Sequence, residues 1–340
     1  MSTVLPLETA LIRRRTIHSH VLVQKPGAGV PPSNRAIPNS PATPPASACT
    51  LRSCYNYLRV ASSATLSPDE YATLLIASDI DALQRVRGCS TYMSDFRLVT
   101  SATSDEIEKR RAFADRLFAT PIPRDEINAN LALYMRRQDL AHLLFIRELY
   151  EAILPVQGVI MEFGVRWGHH LALFTNLRGL LEPYNYSRRV IGFDTFSGFA
   201  SVAPEDGSSA ADGDYGVSDN YIEHLSSVLE YHESQSPVAH VRKYELVVGD
   251  AVETVDRYFD SHPETIVALA YFDMDIYRPT KKCLEAIRPH ITKGTVLAFD
   301  ELGFPPFPGE TAAFREVFDL DRFAIRRSPL CPIPSYCIVE

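Results

Sequence analysis

No stretch of the 340 residues approaches the run of about 18 apolar residues that a membrane-spanning helix needs, which argues against a membrane partner. Among the six cysteines (Cys49, Cys54, Cys89, Cys283, Cys331, Cys337) there is no C-x-x-C pair, so neither a zinc site nor a redox dithiol has its usual spacing. Reduced thiols in a cytoplasmic protein are the economical expectation. Positive charge is short: 34 Lys and Arg face 42 Asp and Glu, and the net charge of −8 argues against a general nucleic-acid binder. The turn G-x-G-x-x-G occurs nowhere, which removes the phosphate cradle expected of a nucleotide-dependent oxidoreductase. What remains is 46% hydrophobic and 22% charged, the composition of a globular chain long enough for one large domain and an appendage.

The first 60 residues differ from the rest. They hold eight of the 24 prolines among Ser, Ala and Thr, a mixture that cannot bury a core, and are expected to be a disordered tail. Arg13-Arg14-Arg15 with the single acid Glu8 has the charge of an organelle transit peptide, but the apolar centre of a secretory signal is missing; a solvated tail is the plainer reading. Residues 61–155 read as a helical cap over the sheet edge or the ligand entrance. Its helices are expected to start at Ser67-Pro-Asp-Glu70, at Ser104 acting as cap, and at Arg124 or Asp125 running to Leu154 with a break near Arg136-Arg137-Gln138.

From residue 156 onward strands and helices alternate. Val159–Met161 opens the first strand, followed by residues 189–193, 244–248, 266–272 and 294–299, with helical patterns at 169–181, 251–259, 279–289 and 310–318 between them. A final pair at 323–327 and 336–340 supplies a reversed strand. The expected fold is therefore α/β, a doubly wound, mostly parallel seven-stranded sheet with ligands at the carboxyl ends of the strands. Residues 200–241 read as a long insertion of the lid or substrate-loop type.

The turn after the first strand carries the chemistry. Glu162-Phe-Gly-Val-Arg-Trp-Gly168 places a carboxylate where a dinucleotide turn has its first glycine; that acid repels phosphate and attracts a cation, while Gly164 lets a ligand lie against the backbone. S-adenosylmethionine, with its sulfonium and ammonium, fits this requirement, and E-x-G-x-x-x-G resembles motif I of class I methyltransferases. Other acids follow each apolar run directly: Asp194, Asp250, Asp273 with Asp275, and Asp300 with Glu301. A carboxylate can accept both hydroxyls of a ribose, which suits Asp194, and Gly249, Asp250 and Ala251 would meet the adenine. Each acid could equally be a helix cap.

Glu162-Phe-Gly-Val-Arg-Trp-Gly168, Gly192-Phe-Asp-Thr-Phe-Ser-Gly198, Gly249-Asp250 and Phe272-Asp-Met-Asp-Ile-Tyr-Arg-Pro-Thr280 together resemble the macrocin, mycinamicin and novobiocin-type O-methyltransferases, the TylF-like family. The resemblance covers most of the chain beyond Val159. It implies a Rossmann-like class I methyltransferase fold, cofactor contacts at Glu162, Gly164, Trp167, Gly168, Asp194, Thr195, Gly249, Asp250 and Ala251, and a magnesium ion held by Asp273, Asp300 and Glu301. The family usually shows Asp-Asp after the fifth strand; Glu301 adds a methylene there.

The expected activity is O-methylation of a sugar or polyhydroxylated natural product, a small-molecule acceptor. A hydroxyl is a poor nucleophile, so a divalent cation or a base, Asp273 or Asp275, is needed. His169 and His170 start the first helix, for substrate contact or for packing beside the cofactor. A homo-oligomer is compatible with this reading. The competing reading is an S-adenosylmethionine-binding α/β protein with another role.

Overall fold

The computed structural model describes residues 102–340. The expected tail, the helix start at Ser67, and Cys49, Cys54 and Cys89 lie outside the described residues.

Strands β1 (Val159–Phe163), β2 (Val190–Asp194), β3 (Tyr244–Val248), β4 (Val267–Phe272), β5 (Ile291–Phe299), β6 (Arg326–Arg327) and β7 (Ser335–Ile338) form one sheet in the order β3-β2-β1-β4-β5-β7-β6. The first five pair in parallel; β7 runs antiparallel to both β5 and β6. This is the class I methyltransferase arrangement. Chain order reverses between β1 and β4, so a crevice opens there at the carboxyl ends of the strands.

Both faces of the sheet are covered, which is why the central strands read as unbroken apolar runs. Along β1 the side chains alternate: Ile160 joins a core with Phe145, Leu149, Leu171 and Phe174, whereas Met161 and Phe163 join Phe193, Val255, Leu284 and Phe314. The first face carries α2 (Arg137–Ala152), α3 (His169–Leu181) and α4 (Tyr221–Ser234); the second carries α5 (Ala251–Ser261), α6 (Tyr277–Ile287) and α7 (Gly309–Val317). Ahead of these, α1 (Ser104–Phe118) buries no side chain.

Three expectations change. The cap of α1 is Thr103, not Ser104: Thr103 Oγ1 accepts the Glu106 amide at 3.3 Å while Glu106 Oε2 accepts the Thr103 amide at 2.8 Å, a reciprocal box. The helix expected from Arg124 to Leu154 is two 3-10 segments, Arg124–Glu126 and Asn128–Tyr134, and then α2. Its break falls where expected, because the Asp139 carboxylate accepts the Arg136 amide at 3.1 Å and the Arg136 guanidinium at 2.8 Å.

Finally, the stretch 200–241 is not simply a loop, since α4 lies within it. Leu225 and Leu229 face the core at helical spacing, and Glu233 forms a buried ion triad with Arg178 of α3 and with Lys243, whose Nζ is 2.9 Å away. Cys283, Cys331 and Cys337 are buried free thiols. No described helix is long and apolar enough to cross a membrane.

Candidate active site

Four phenylalanines set the level of the site. Phe193, Phe163, Phe272 and Phe299 occupy the carboxyl ends of β2, β1, β4 and β5 in register. Their rings stack in one row, with centroids 4.9 Å, 5.0 Å and 4.9 Å apart. The next residue on each strand is Asp194, Gly164, Asp273 and Asp300. The aromatic row therefore places a glycine and three acids at one height above the sheet, around a cavity of about 450 Å³.

Gly164 has φ +94°, and a Cβ there would stand 1.9 Å from the carbonyl oxygen of Asp273, so only glycine lets the turn cross the end of β4. Gly168, at φ +74°, opens α3, and a Cβ on it would overlap Leu225 of α4. Asp194 ties the turn down: its Oδ2 accepts the amides of Val165 and Arg166 at 2.7 Å each, and its Oδ1 accepts that of Phe196 at 2.5 Å. Burial raises its carboxyl, with these three donors opposing. Trp167 edges onto Tyr221, whose hydroxyl donates to the Trp167 carbonyl at 2.8 Å. Thr195 donates to the Gly198 carbonyl at 2.7 Å, and Asp250 caps α5 by accepting the Val252 amide at 2.9 Å.

Of the residues expected to bind cofactor, Gly164, Trp167, Gly168, Asp194, Thr195, Gly249, Asp250 and Ala251 all line the cavity. Glu162 does not: it has no exposed surface and lies inside β1 on the face toward α3. Its Oε1 instead faces His170 Nδ1 at 3.3 Å, and burial holds its carboxyl well above the usual range. His170 is itself buried against Tyr271 and held well below the usual imidazole range, so it carries no charge.

The acids at the ends of β4 and β5 crowd one another. Oxygens of Asp273, Asp275 and Glu301 lie within 4.8 Å of each other. Asp300, expected in that set, borders it on the cavity wall, and its Oδ1 accepts the Tyr271 hydroxyl at 3.0 Å. Burial and neighbouring carboxylates push Asp273 and Glu301 well up, while burial raises Asp275 to about 6 against a hydrogen bond from Glu301. Asp275 has φ +61°, uncommon for a side chain of this kind, and Arg166 across the cavity has φ +47°. Such strain collects at functional sites.

Several residues in and beside the cavity were not singled out in the sequence. Arg166 lies over Tyr215 at 4.9 Å, and Arg278 bonds Ser201 at 3.2 Å, so two cations face a cavity otherwise rich in acids. Arg278 sits inside the D-x-D-I-Y-R run and could have been marked from it. Glu310 is fully buried, and its Oε2 accepts the Glu301 amide at 3.1 Å. His142 of α2 also reaches the cavity.

The chain superposes on the crystal structure of CalS11, a calicheamicin methyltransferase, with a TM-score of 0.68 and 45% identity over 72% of this chain and 96% of that one. The apo structure of CalS11, a TDP-rhamnose 3'-O-methyltransferase of calicheamicin biosynthesis, gives a TM-score of 0.63 and 43% identity over 72% and 99%. No protein-family model and no curated protein matches the chain.

Proposed function

Because the chain belongs to the class I S-adenosylmethionine-dependent O-methyltransferases, with CalS11 as a sugar-methylating relative, we propose that it is of the TylF type and methylates one hydroxyl of a nucleotide-linked sugar. The observation that carries this reading is a single cavity that joins the Gly164–Gly168 turn to the Asp273, Asp275 and Glu301 carboxylates and holds Arg166 and Arg278. The turn and Asp194 suit the cofactor, the two guanidinium groups suit a diphosphate, and the acids suit a sugar hydroxyl.

In the reaction a bond forms between the acceptor oxygen and the cofactor's methyl carbon as the carbon–sulfur bond breaks. The sulfonium becomes the neutral thioether of S-adenosylhomocysteine, and the hydroxyl proton leaves to a carboxylate. Asp275 is the group for that step, because its raised value of about 6 still leaves it ionised near neutral pH while bringing it closer to the proton it takes. The Gly164–Gly168 turn would hold the cofactor, whose sulfonium would supply the methyl group, beside the carboxylates.

The donor set fits a hard divalent cation such as Mg²⁺. Asp273 and Glu301 would hold it and offer only oxygen, and Glu301 Oε2 is buried with no hydrogen-bond partner, while Asp275 beside them keeps the proton-accepting role. When bound, such an ion lowers the pKa of a coordinated hydroxyl.

The test is incubation with S-adenosylmethionine and a panel of nucleotide-linked and free sugars, read by mass spectrometry and repeated with chelator. Methyl transfer to a nucleotide-linked sugar is the expected result. Transfer to free sugars alone would remove the role assigned to Arg166 and Arg278, and binding of S-adenosylhomocysteine without transfer to any acceptor would favour a non-methylating protein.

A further inference from the structure

Three imidazoles converge where α2 passes the start of α3. His142 is half-buried, His169 is exposed and His170 is 3% exposed, and one nitrogen of each lies within 4.8 Å of the others. The Nε2 atoms of His142 and His170 are 2.7 Å apart. On its far side His170 presents Nδ1 to Glu162, both of whose oxygens are buried and form no hydrogen bond. All three rings line the active-site cavity, and His142 and His169 also line a second cavity between α2 and α3.

We propose that His142, His169 and His170 bind a borderline divalent transition-metal ion, Zn²⁺ or a cation of similar preference, at a nitrogen site beside the carboxylate cluster, whose Asp273 stands 3.6 Å from His170. Imidazole nitrogens suit zinc, nickel, cobalt and copper, whereas all-oxygen sets suit magnesium and calcium, so the two clusters select different ions. The buried carboxyl group behind His170, 3.3 Å from Nδ1, has the place of an outer partner in a carboxylate–histidine–metal arrangement, which would hold Nδ1 once Nε2 ligates a cation.

Two nitrogens on one tetrahedral zinc at about 2.0–2.1 Å stand about 3.3 Å apart. The His142–His170 separation therefore has to open by only a few tenths of an ångström. Water or a donor atom of a bound molecule completes the coordination from the cavity side. An occupied site would tie α2 to the turn that begins α3. Without metal the short contact is an N–H···N hydrogen bond, and the two states are separable by experiment.

The full-length protein, stripped with chelator and desalted, is titrated with Co²⁺ and followed by visible absorption. The expected result is one equivalent of ion giving the intense bands of a tetrahedral nitrogen site, displaced by Zn²⁺. His169→Gln, at an exposed position that does not threaten the fold, and His142→Gln each weaken Co²⁺ binding at least ~10-fold, while Glu301→Gln in the carboxylate cluster leaves those bands unchanged. Absence of binding, the pale spectrum of a six-coordinate oxygen site, or bands that persist in both histidine variants would each overturn the assignment. Circular dichroism of the variants separates loss of ligand from loss of fold.

Discussion

The imidazole Nδ1 of His170 stands 3.3 Å from Oε1 of Glu162, a carboxylate with no exposed surface. Burial raises Glu162 and lowers His170, so the folded protein favours the neutral form of both. Glu162's contribution to stability is complete below its ordinary value of 4.5 and is lost as the pH climbs through its raised folded value. His170 works oppositely: its contribution is present above 6.5 and lost as the pH falls. Glu162→Gln removes only the first dependence. Its melting temperature should therefore gain on the wild type between about pH 5 and about pH 8. An offset that stays constant across that range would mean Glu162 is already ionised in the fold.

Asp194→Ala strips three backbone amides of their acceptor. Hydrogen bonds to a charged group are worth about 1.5–3 kcal/mol each, so the turn should lose several kcal/mol of restraint. Calorimetry should show S-adenosylhomocysteine affinity falling by about two orders of magnitude, with a lower melting temperature. Unchanged affinity would remove Asp194 from both the turn and the ribose.

Asp275 must be ionised to accept a proton. With its value raised to about 6, kcat/KM should climb through about pH 6 and level off above it. Asp275→Asn should lower turnover by about 10²–10⁴ while S-adenosylhomocysteine binding stays intact. A flat profile from pH 5 to pH 8 in the wild type, or an active variant, would assign the proton to another group.

Phe272 sits second from the end of the stacked row, between Phe163 and Phe299. Phe272→Ala should cost about 3–5 kcal/mol in chemical denaturation, with Phe272→Leu costing less. The alanine variant should also lose activity, because Asp273 follows directly on the strand. A cost near zero would mean the ends of the strands are not close-packed.

Much of this molecule was legible in its sequence because burial on both faces makes parallel strands read as apolar runs, each ended sharply by an acid. The five parallel strands and the cavity-lining acids follow from that pattern. Glu162 is placed differently from its neighbours for a physical reason: sequence spacing puts it just before the turn's backbone, but the strand's alternation directs its side chain toward His170. The hydrogen bond from Tyr271 on the neighbouring strand to Asp300 was not legible, because such pairing depends on register. His142 lies on a helix face far along the chain and had nothing in its spacing to mark it. The helix α4 was hidden by the polar, glycine-rich residues ahead of it, although Leu225 and Leu229 already kept helical spacing.

The row of four stacked rings has a consequence for segment exchange. Phe193, Phe163, Phe272 and Phe299 hold the acids from below, through the sheet, whereas the segment bearing Ser201 and Tyr215 lies above them and is anchored at one point by Asp206, which accepts the Tyr277 amide. Grafting residues 199–216 from a relative should transplant acceptor preference and leave the methyl-transferring machinery in place.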